Sequence, residues 1–258
     1  MSSLYEPTRP PRFGHAFQVV VDVGHRMVFG YEALIRGLAN QSAHTVLGGL
    51  TTDESLVLDG RSRLIAIESG AALGLTANLM VNALPRSLER GSAHVATEMI
   101  ARARDCHFPL ERLVVELTEH HAITETSQFA ETIREFRQRG IRIAVDDFGA
   151  GHSGLNLLVE FQPDIIKLDM NLVRGIHRHG PRQTIVRAII QVCEDLGIDV
   201  IAEGVETLDE YHWFEDEGIR LFQGFLFGHP HFHHLADASF PDSRSHVRLV
   251  PPTLLRVR

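Results

Sequence analysis

The sequence has few of the residues that build a secreted, membrane-spanning or nucleic-acid-binding protein. Only two of its 258 residues are cysteines, Cys106 and Cys193, and neither lies in a metal-type spacing. This excludes a disulfide framework and fits a reducing compartment. No apolar run approaches the roughly 18 residues that a membrane span needs. The N-terminus lacks a charged segment followed by an apolar one, so it is not a signal peptide. We therefore expect a cytoplasmic protein.

Positive charge is also scarce. The 25 lysines and arginines are outnumbered by 33 aspartates and glutamates, which gives a formal net charge of -8. A general nucleic-acid binder presents a basic face, so we expect no DNA partner. An anionic substrate remains compatible with this charge if metal ions neutralise the acidic residues locally.

Short apolar runs alternate with longer amphipathic stretches along most of the chain, and 44% of the residues are hydrophobic. The predicted strands are Phe17–Val21, Tyr31–Ile35, Leu79–Val81, Leu113–Leu117, Ile141–Val145, Ile165–Leu168, Val200–Ala202 and Leu221–Phe222. The predicted helices are Asp53–Ala72, Ser87–Cys106, Ser127–Arg139, Leu155–Phe161, Arg182–Leu196 and Leu208–Glu217. This alternation predicts parallel βαβ units, and eight strands in about 250 residues favour a closed barrel.

The link between the first two strands, VDVGHRMVFG, is too short for a crossover helix and is typical of a hairpin. The predicted fold is therefore α/β, a modified (β/α)8 TIM-like barrel whose first strand is antiparallel. We expect residues 1–14 to be a flexible lead-in, residues 15–236 the barrel and residues 237–258 a tail. The tail is rich in proline and arginine, which favours a solvated arm over a weak phosphate or partner contact.

Carboxylates recur where the apolar runs stop, at Glu32, Glu116, Asp146, Asp147 and Glu203. A carboxylate in an apolar strand costs several kcal/mol unless it is paired or bound to a cation. In such barrels the chemistry lies at the carboxyl ends of the strands, where Asn82, Lys167 and Gln223 take equivalent places. A set rich in oxygen and without cysteine indicates hard cations, Mg²⁺ or Mn²⁺.

The adjacent Asp146 and Asp147 set the expected geometry. Successive strand residues face opposite sides, but a strand that ends between them lets both carboxylates reach one site. One of the two can then bridge two metal ions. Two such ions about 3.5–4 Å apart stabilise both the attacking and the leaving oxygen of a phosphoryl transfer.

Two motifs suggest other functions. The stretch from Gly149 to Gly154 reads G-x-G-x-x-G, with Asp169 at about the distance found in dinucleotide-binding folds. Two aspartates directly before it would repel a pyrophosphate, so a flexible loop over the site is favoured. The histidines in GHPHFHH suggest zinc, but their spacing fits no strong zinc template and favours an exposed loop. Taken alone, Lys167 could simply pair with Asp169.

Eight blocks carry a family resemblance. They are FQVVVD, YEALIRG, VNALP, VELTE, AVDDFGAGHSGL, PDIIKLD, VIAEGVET and FQGFLFG, in that order between roughly Phe17 and Pro230. Together they resemble the EAL domain, the bacterial phosphodiesterases that hydrolyse cyclic di-GMP. A lone EAL tripeptide is unspecific, whereas eight blocks in sequence are highly specific. The resemblance implies a modified (β/α)8 barrel with one antiparallel strand, and a homodimer.

The resemblance also implies a role for each site residue. One metal would be bound by Glu32, Asn82, Glu116 and Asp146, and the second by Asp146, Asp147 and Glu203, with Asp146 bridging. Lys167 would contact the catalytic water and Gln223 the metal-bound waters. Substrate contacts would come from Arg36, which suits a phosphate, and from Gln18 and Leu34. Surrounding residues are Glu119, which would steady the loop that begins at Asp147, Asp169, which would support Lys167, and Glu206.

The implied reaction is attack of a metal-bridging hydroxide on one phosphorus, which opens cyclic di-GMP to linear pGpG. Val19, Ala150, His152 and His229 depart from the commonest family residues, and none of these changes removes a metal ligand. The alternative is a catalytically weak or inactive receptor or protein-interaction module. Such relatives typically lose a metal ligand or the loop-supporting glutamate. Because these positions are intact, the enzyme is favoured.

Overall fold

The strands form one sheet that closes on itself as a barrel. The structure is a computed structural model that describes residues 13–89, 92–118, 126–151, 158–159 and 161–242. Its strands are β1 (Phe13–Asp22), β2 (Met27–Gly37), β3 (Asn78–Ala83), β4 (Leu113–Thr118), β5 (Arg142–Phe148), β6 (Ile165–Leu168), β7 (Asp199–Ala202), β8 (Leu221–Gln223) and β9 (His231–Phe232). Strands β2 to β8 are parallel in chain order, and β1 closes the barrel between β8 and β2, antiparallel to both.

This topology confirms the modified barrel with an antiparallel first strand. The β1–β2 hairpin pairs along its length, from Phe13 opposite Gly37 to Asp22 opposite Met27. The two-residue strand β9 was not predicted. It pairs with Ala16 and Phe17 of β1, beside the stretch that pairs with β8.

Helices cover the outside of the barrel. They are α1 (Ala43–Leu47), α2 (Thr52–Ala72), α3 (Pro85–Glu89), α4 (Ser92–Asp105), α5 (Thr126–Gln138), α6 (Met170–Val173), α7 (Gly180–Leu196) and α8 (Leu208–Asp216). Capping boxes at Thr51 and Thr207 fix the starts of α2 and α8, and Gly197 at φ +70° ends α7. The predicted helix at 87–106 corresponds to α3 and α4, between which residues 90 and 91 lie outside the described residues, and the one at 155–161 lies largely outside them. None of the helices in the described part combines the length and apolar character needed to cross a membrane.

Two apolar clusters hold the barrel together. The larger one lies between the strands and the helices and includes Phe17, Val81 and Val115, whose neighbours along each strand point the other way. The smaller cluster fills the barrel interior and consists of Val20, Met80, Val114, Ala144, Ile165, Ile201 and Leu221. This interior plug makes the barrel solid at one end and leaves the other end for polar side chains.

The chain beyond the last parallel strand still contacts the barrel. The hydroxyl of Tyr31 donates a 2.7 Å hydrogen bond to the Ala236 carbonyl, and the Ser239 amide donates to Phe227 at 2.8 Å. Phe240 packs against the outer core with the Arg26 guanidinium 5.5 Å from its ring. Residues up to 242 therefore contact the barrel. The limits expected at residues 14 and 236 stay predictions.

A buried histidine in β1 predicts pH-dependent stability. His15 is fully buried, and its Nε2 lies 2.9 Å from Ser62 Oγ. Burial, with a smaller effect from His233, lowers the pKa of His15 to about 4. The unfolded chain binds a proton near pH 6.5 while the folded protein resists it, so stability is complete above that pH and falls toward pH 4. The loss is at most about 3.5 kcal/mol, since one pKa unit corresponds to about 1.4 kcal/mol.

Chemical denaturation of the wild type and of His15→Leu between pH 7.5 and 4.5 measures this effect. The gap between their free energies of unfolding should shift in favour of His15→Leu as the pH falls, because leucine takes up no proton. A gap that is constant over this range would contradict the assignment.

Candidate metal centre

Inward-facing positions of the barrel change from apolar to polar two residues further along the strands. Because alternate strand residues share a face, the polar residues form a layer directly above the interior plug. In the parallel strands the plug and polar residues are Met80 and Asn82, Val114 and Glu116, Ala144 and Asp146, Ile165 and Lys167, Ile201 and Glu203, and Leu221 and Gln223. The antiparallel β1 has the reverse order, with Gln18 two residues before Val20. This layer lies at the carboxyl ends of the parallel strands, where the sequence predicted a site.

Glu32 joins this layer from the middle of a strand. It pairs in register with Gln18 of β1 and Met80 of β3, and β2 continues to Gly37. The prediction placed Glu32 where an apolar run stops. It is wrong about the strand, which does not end at Glu32 but continues for five more residues. Its side chain is nonetheless buried among the other carboxylates, because β2 extends well past the polar layer.

Lys167 lies at the centre of the layer, with its side chain only 1% exposed. Its Nζ is 2.7 Å from Glu203 Oε1, 2.8 Å from Glu116 Oε1, 3.0 Å from Asp146 Oδ1 and 3.2 Å from Glu32 Oε2. The Glu116 contact is an ion pair between two fully buried side chains. One cation thus neutralises part of a group of four carboxylates.

The pKa values reflect this imbalance. Burial acts to lower the pKa of Lys167, but the Asp146, Glu116, Glu203 and Glu32 carboxylates together raise it well above its usual value. Burial raises the pKa of Glu116 and of Glu203 well above normal, and neighbouring carboxylates add to the effect against the opposing attraction of Lys167. Without a bound cation, the polar layer therefore favours protonation of Glu116 and Glu203, because a single lysine offsets only part of the charge of four carboxylates.

Amide side chains complete the layer. Asn82 Nδ2 donates to Glu32 Oε1 at 3.1 Å, so its carbonyl oxygen is the atom that could bind a cation. Gln223 Nε2 donates to Glu32 Oε2 at 2.7 Å and to Gln18 Oε1 at 3.4 Å. Gln18 in turn donates to the Gly228 carbonyl at 3.2 Å. These bonds fix the orientation of Glu32.

Two groups of carboxylates have oxygens close enough to share a cation. Glu32, Glu116 and Asp146 form the first group, and Asp146, Asp147 and Glu203 form the second, with the oxygens of each group within 4.8 Å of one another. Asp146 belongs to both. Asp147 reaches the site because its φ is +55°, a left-handed conformation, and the pairing of β5 with β6 shifts register there. The prediction had β5 end between the aspartates, whereas an irregularity inside the strand turns the second carboxylate inward.

The chemistry of this layer fits divalent cations. All candidate ligands are oxygens, which hard cations such as Mg²⁺ and Mn²⁺ prefer. Glu116 Oε2 and Gln223 Oε1 are buried and have no hydrogen-bond partner within the described residues. A buried carboxylate oxygen without a partner costs free energy that a bound cation would recover.

Comparison with known proteins identifies the family. The model of the EAL domain family matches residues 4–230. The chain belongs to the EAL domain family. Two curated proteins of Escherichia coli K12 are among its relatives. The blue light- and temperature-regulated antirepressor BluF is 34% identical over 244 residues, which cover 94% of this chain and 60% of BluF. The cyclic di-GMP phosphodiesterase PdeR is 37% identical over 157 residues, which cover 61% of this chain and 23% of PdeR.

A solved structure supports the same assignment. Klebsiella pneumoniae BlrP1, in a manganese/cy-diGMP complex at pH 9.0, superimposes with a TM-score of 0.83 at 36% identity. The match covers 94% of this chain and 62% of that one. The chain spans less than two thirds of the length of each of the two curated relatives, BluF and PdeR.

A cavity of about 640 Å³ opens onto the polar layer of this EAL domain. Glu32, Asp146 and Asp147 line its floor, and the predicted substrate residues Leu34 and Arg36 line its wall. Sequence reasoning missed that α2 borders the cavity, through Thr52, Ser55, Asp59 and Ser62. Their spacing of three and four residues was visible, but this pattern is common on exposed helices. A second cavity of about 210 Å³ lies beside Gln18, Arg174, Glu206 and Phe225.

Two of the three predicted surrounding residues, Asp169 and Glu206, have partners outside the polar layer. Asp169 Oδ1 accepts the Asn171 amide at 2.9 Å and begins α6, outside the four ion pairs of Lys167. Glu206 pairs with Arg174 at 2.7 Å at the partly exposed rim. Glu119 lies outside the described residues, so its predicted role at the loop stays a prediction.

Neither alternative motif forms a site in the part of the chain that the structure describes. Gly149 has φ +95°, and a Cβ there would lie 2.5 Å from Leu172 Cδ1, so this glycine is required by backbone conformation and packing. The motif's residues 152–154 lie outside the described residues. The four histidines at 229, 231, 233 and 234 are exposed, as expected, and His229 stacks on Phe225 with ring centroids 4.2 Å apart. The groups of possible metal ligands among the described residues contain no histidine.

Proposed function

We propose that this EAL domain is a phosphodiesterase that hydrolyses cyclic di-GMP to linear pGpG with two divalent cations, Mg²⁺ or Mn²⁺. The observation that carries the proposal is the pair of carboxylate groups sharing Asp146 on the floor of a cavity that also exposes Arg36. The name of PdeR and the manganese and cyclic di-GMP in the BlrP1 complex support it.

The oxygen groups divide into two cation sites. Glu32, Asn82, Glu116 and Asp146 would hold one cation, and Asp146, Asp147 and Glu203 would hold the other. When bound, the cations would supply an activated water molecule as the nucleophile and positive charge for the phosphoryl oxygens. The plug beneath the layer keeps bulk water away from the buried ends of these ligands.

The remaining residues bind and orient. Arg36 lines the cavity and suits a phosphate oxygen through its forked guanidinium, while Leu34 and Gln18 offer an apolar and a polar substrate contact. Lys167, within 3.2 Å of oxygens on both sides of the layer, donates hydrogen bonds and orients the attacking water. Gln223 holds Glu32 through its Nε2 and positions water with its single amide oxygen, Oε1.

Incubation of the purified chain with cyclic di-GMP and Mg²⁺ or Mn²⁺, followed by chromatography, tests the proposal. We expect pGpG to form with either metal and to disappear with a chelator. Tight nucleotide binding without pGpG at either metal would overturn the enzymatic function.

A protein-binding function is the second candidate. Its support is BluF, which is named an antirepressor and covers 94% of this chain at 34% identity. In that case the barrel acts as a receptor for the nucleotide or for a protein. A variant that cannot hydrolyse cyclic di-GMP distinguishes the two functions. If the barrel acts as a receptor, this variant still binds its protein partner.

We also propose a homodimer. Ile185, Val192 and Leu196 are exposed apolar residues separated by seven and four positions on α7, so they share one face that a second copy can cover. Sedimentation velocity at micromolar concentration should give the mass of two chains. A monomer under conditions in which the protein is active would contradict this proposal.

A further inference from the structure

A buried ion pair on α2 holds the segment that follows Asn82. Arg63 is 2% exposed, and its Nη1 pairs with Asp59 Oδ2 and donates to Ser87 Oγ at 3.3 Å. Such a buried guanidinium is costly unless it is well paired. The pair belongs neither to the proposed cation ligands nor to the apolar core. The burial of these two charges therefore needs another explanation.

The other oxygen of Asp59 binds the backbone. Asp59 Oδ1 accepts the Leu84 amide at 3.1 Å, and Ser87 Oγ donates to the Leu84 carbonyl at 2.7 Å. Both peptide groups of Leu84 are therefore fixed by side chains linked to Arg63. Leu84 stands two residues after Asn82, where the chain leaves β3.

The sheet itself holds this exit on one side only. Asn82 pairs in register with Glu116 of β4, but the pairing of β3 with β2 stops at Ala33 opposite Val81. On the side facing β2, the hydrogen-bonded pairing of β3 therefore ends one residue before Asn82. Asp59 on α2 supplies a backbone partner two residues further along, at the Leu84 amide, and the Asn82 amide lies 3.1 Å from Glu32.

We propose that Asp59, oriented by Arg63, is a positioning residue for the cation site that contains Asn82. The inference rests on the proposed function for the identity of that site. Residues that orient metal ligands typically change metal affinity by about 10–100-fold when removed. Asp59→Ala frees the Leu84 amide, lets the end of β3 move and weakens cation binding.

A matched control lies at the other end of the barrel. Asp164 Oδ2 accepts the Ile143 amide at 2.8 Å and lies 3.7 Å from Arg137 Nε. Like Asp59, it joins a strand backbone to an arginine, but at the amino ends of β5 and β6. Asp164→Ala therefore reports the general effect of losing such a link.

Mn²⁺ binding to the full chain, measured by titration calorimetry beside thermal unfolding, tests the proposal. We expect the Mn²⁺ dissociation constant to rise roughly tenfold or more in Asp59→Ala, and to stay near the wild-type value in Asp164→Ala. Asp59→Asn, which keeps an oxygen for the Leu84 amide, should recover most of the affinity. Wild-type affinity in folded Asp59→Ala, or an equal loss in Asp164→Ala, would overturn the positioning role.

Two further outcomes are decisive. If Asp59→Ala fails to fold, Arg63→Met must weaken Mn²⁺ binding more than Asp59→Asn does, and equal affinities would overturn the inference. A wild type that binds Mn²⁺ without hydrolysing cyclic di-GMP contradicts the proposed function alone. A wild type that binds no Mn²⁺ contradicts both.

Discussion

Asp146→Asn should lower the kcat for cyclic di-GMP by roughly a thousandfold while leaving the protein folded. Asp146 is the residue common to both carboxylate groups, so the substitution removes a charge from each proposed cation site. Loss of about 4 kcal/mol of charge stabilisation in the transition state corresponds to this factor. The amide has the same shape as the carboxylate, so the packing around position 146 is preserved. Steady-state hydrolysis at saturating Mn²⁺ measures the effect.

Asp22→Asn is the matched control for this substitution. Asp22 is also a buried aspartate in a barrel strand, but it pairs with His25 at the opposite end. Its replacement should leave kcat within about threefold of the wild type, as expected for a site remote from the chemistry. Equal losses in the two variants would show that folding, and not cation binding, limits the activity.

Lys167→Met should destabilise the metal-free protein by about 3–5 kcal/mol, the usual effect of removing one partner of a buried ion pair. Lys167 is the ion-pair partner of four carboxylates in the described structure, and methionine fills similar volume without charge. Mn²⁺ should restore much of the loss, because it binds the folded state and neutralises the same carboxylates. Urea unfolding with and without Mn²⁺ measures both effects.

Arg187→Met provides the comparison for an exposed cation. Arg187 pairs with Glu217 at 2.7 Å but is half exposed, so its loss should destabilise the protein far less than the loss of Lys167 and should not respond to Mn²⁺. The free energies of unfolding of Lys167→Met and Arg187→Met are compared in the absence of metal. If they are equal, Lys167 does not hold the carboxylates together.

The strands and the buried polar residues among them could be predicted because burial leaves a direct trace in the sequence. Strands covered on both faces are continuous apolar runs, so Ile165–Leu168 was predicted with its observed bounds. A polar residue within such a run stands out in the sequence. For this reason Glu116 and Lys167 could be recognised as candidate site residues. The hairpin between β1 and β2 followed from the shortness of its link.

Features set by tertiary contacts left no such trace. The register shift that turns Asp147 inward depends on how β5 meets β6, and a sequence gives no φ angle. The Asp59–Arg63 pair has the four-residue spacing of an ordinary surface ion pair, and only the fold buries it against Leu84. Strand β9 is two residues long and forms because β1 offers it an edge.

Anomalous diffraction from crystals soaked in Mn²⁺ tests the central claim most directly, namely that the polar layer binds two divalent cations. We expect two manganese peaks on the cavity floor. One should lie among Glu32, Asn82, Glu116 and Asp146, and the other among Asp146, Asp147 and Glu203. Two separate ions a few ångströms apart with Asp146 between them would match the geometry of two-metal phosphoryl transfer. No peak in this layer, or peaks only at the histidines near residue 231, would contradict the account.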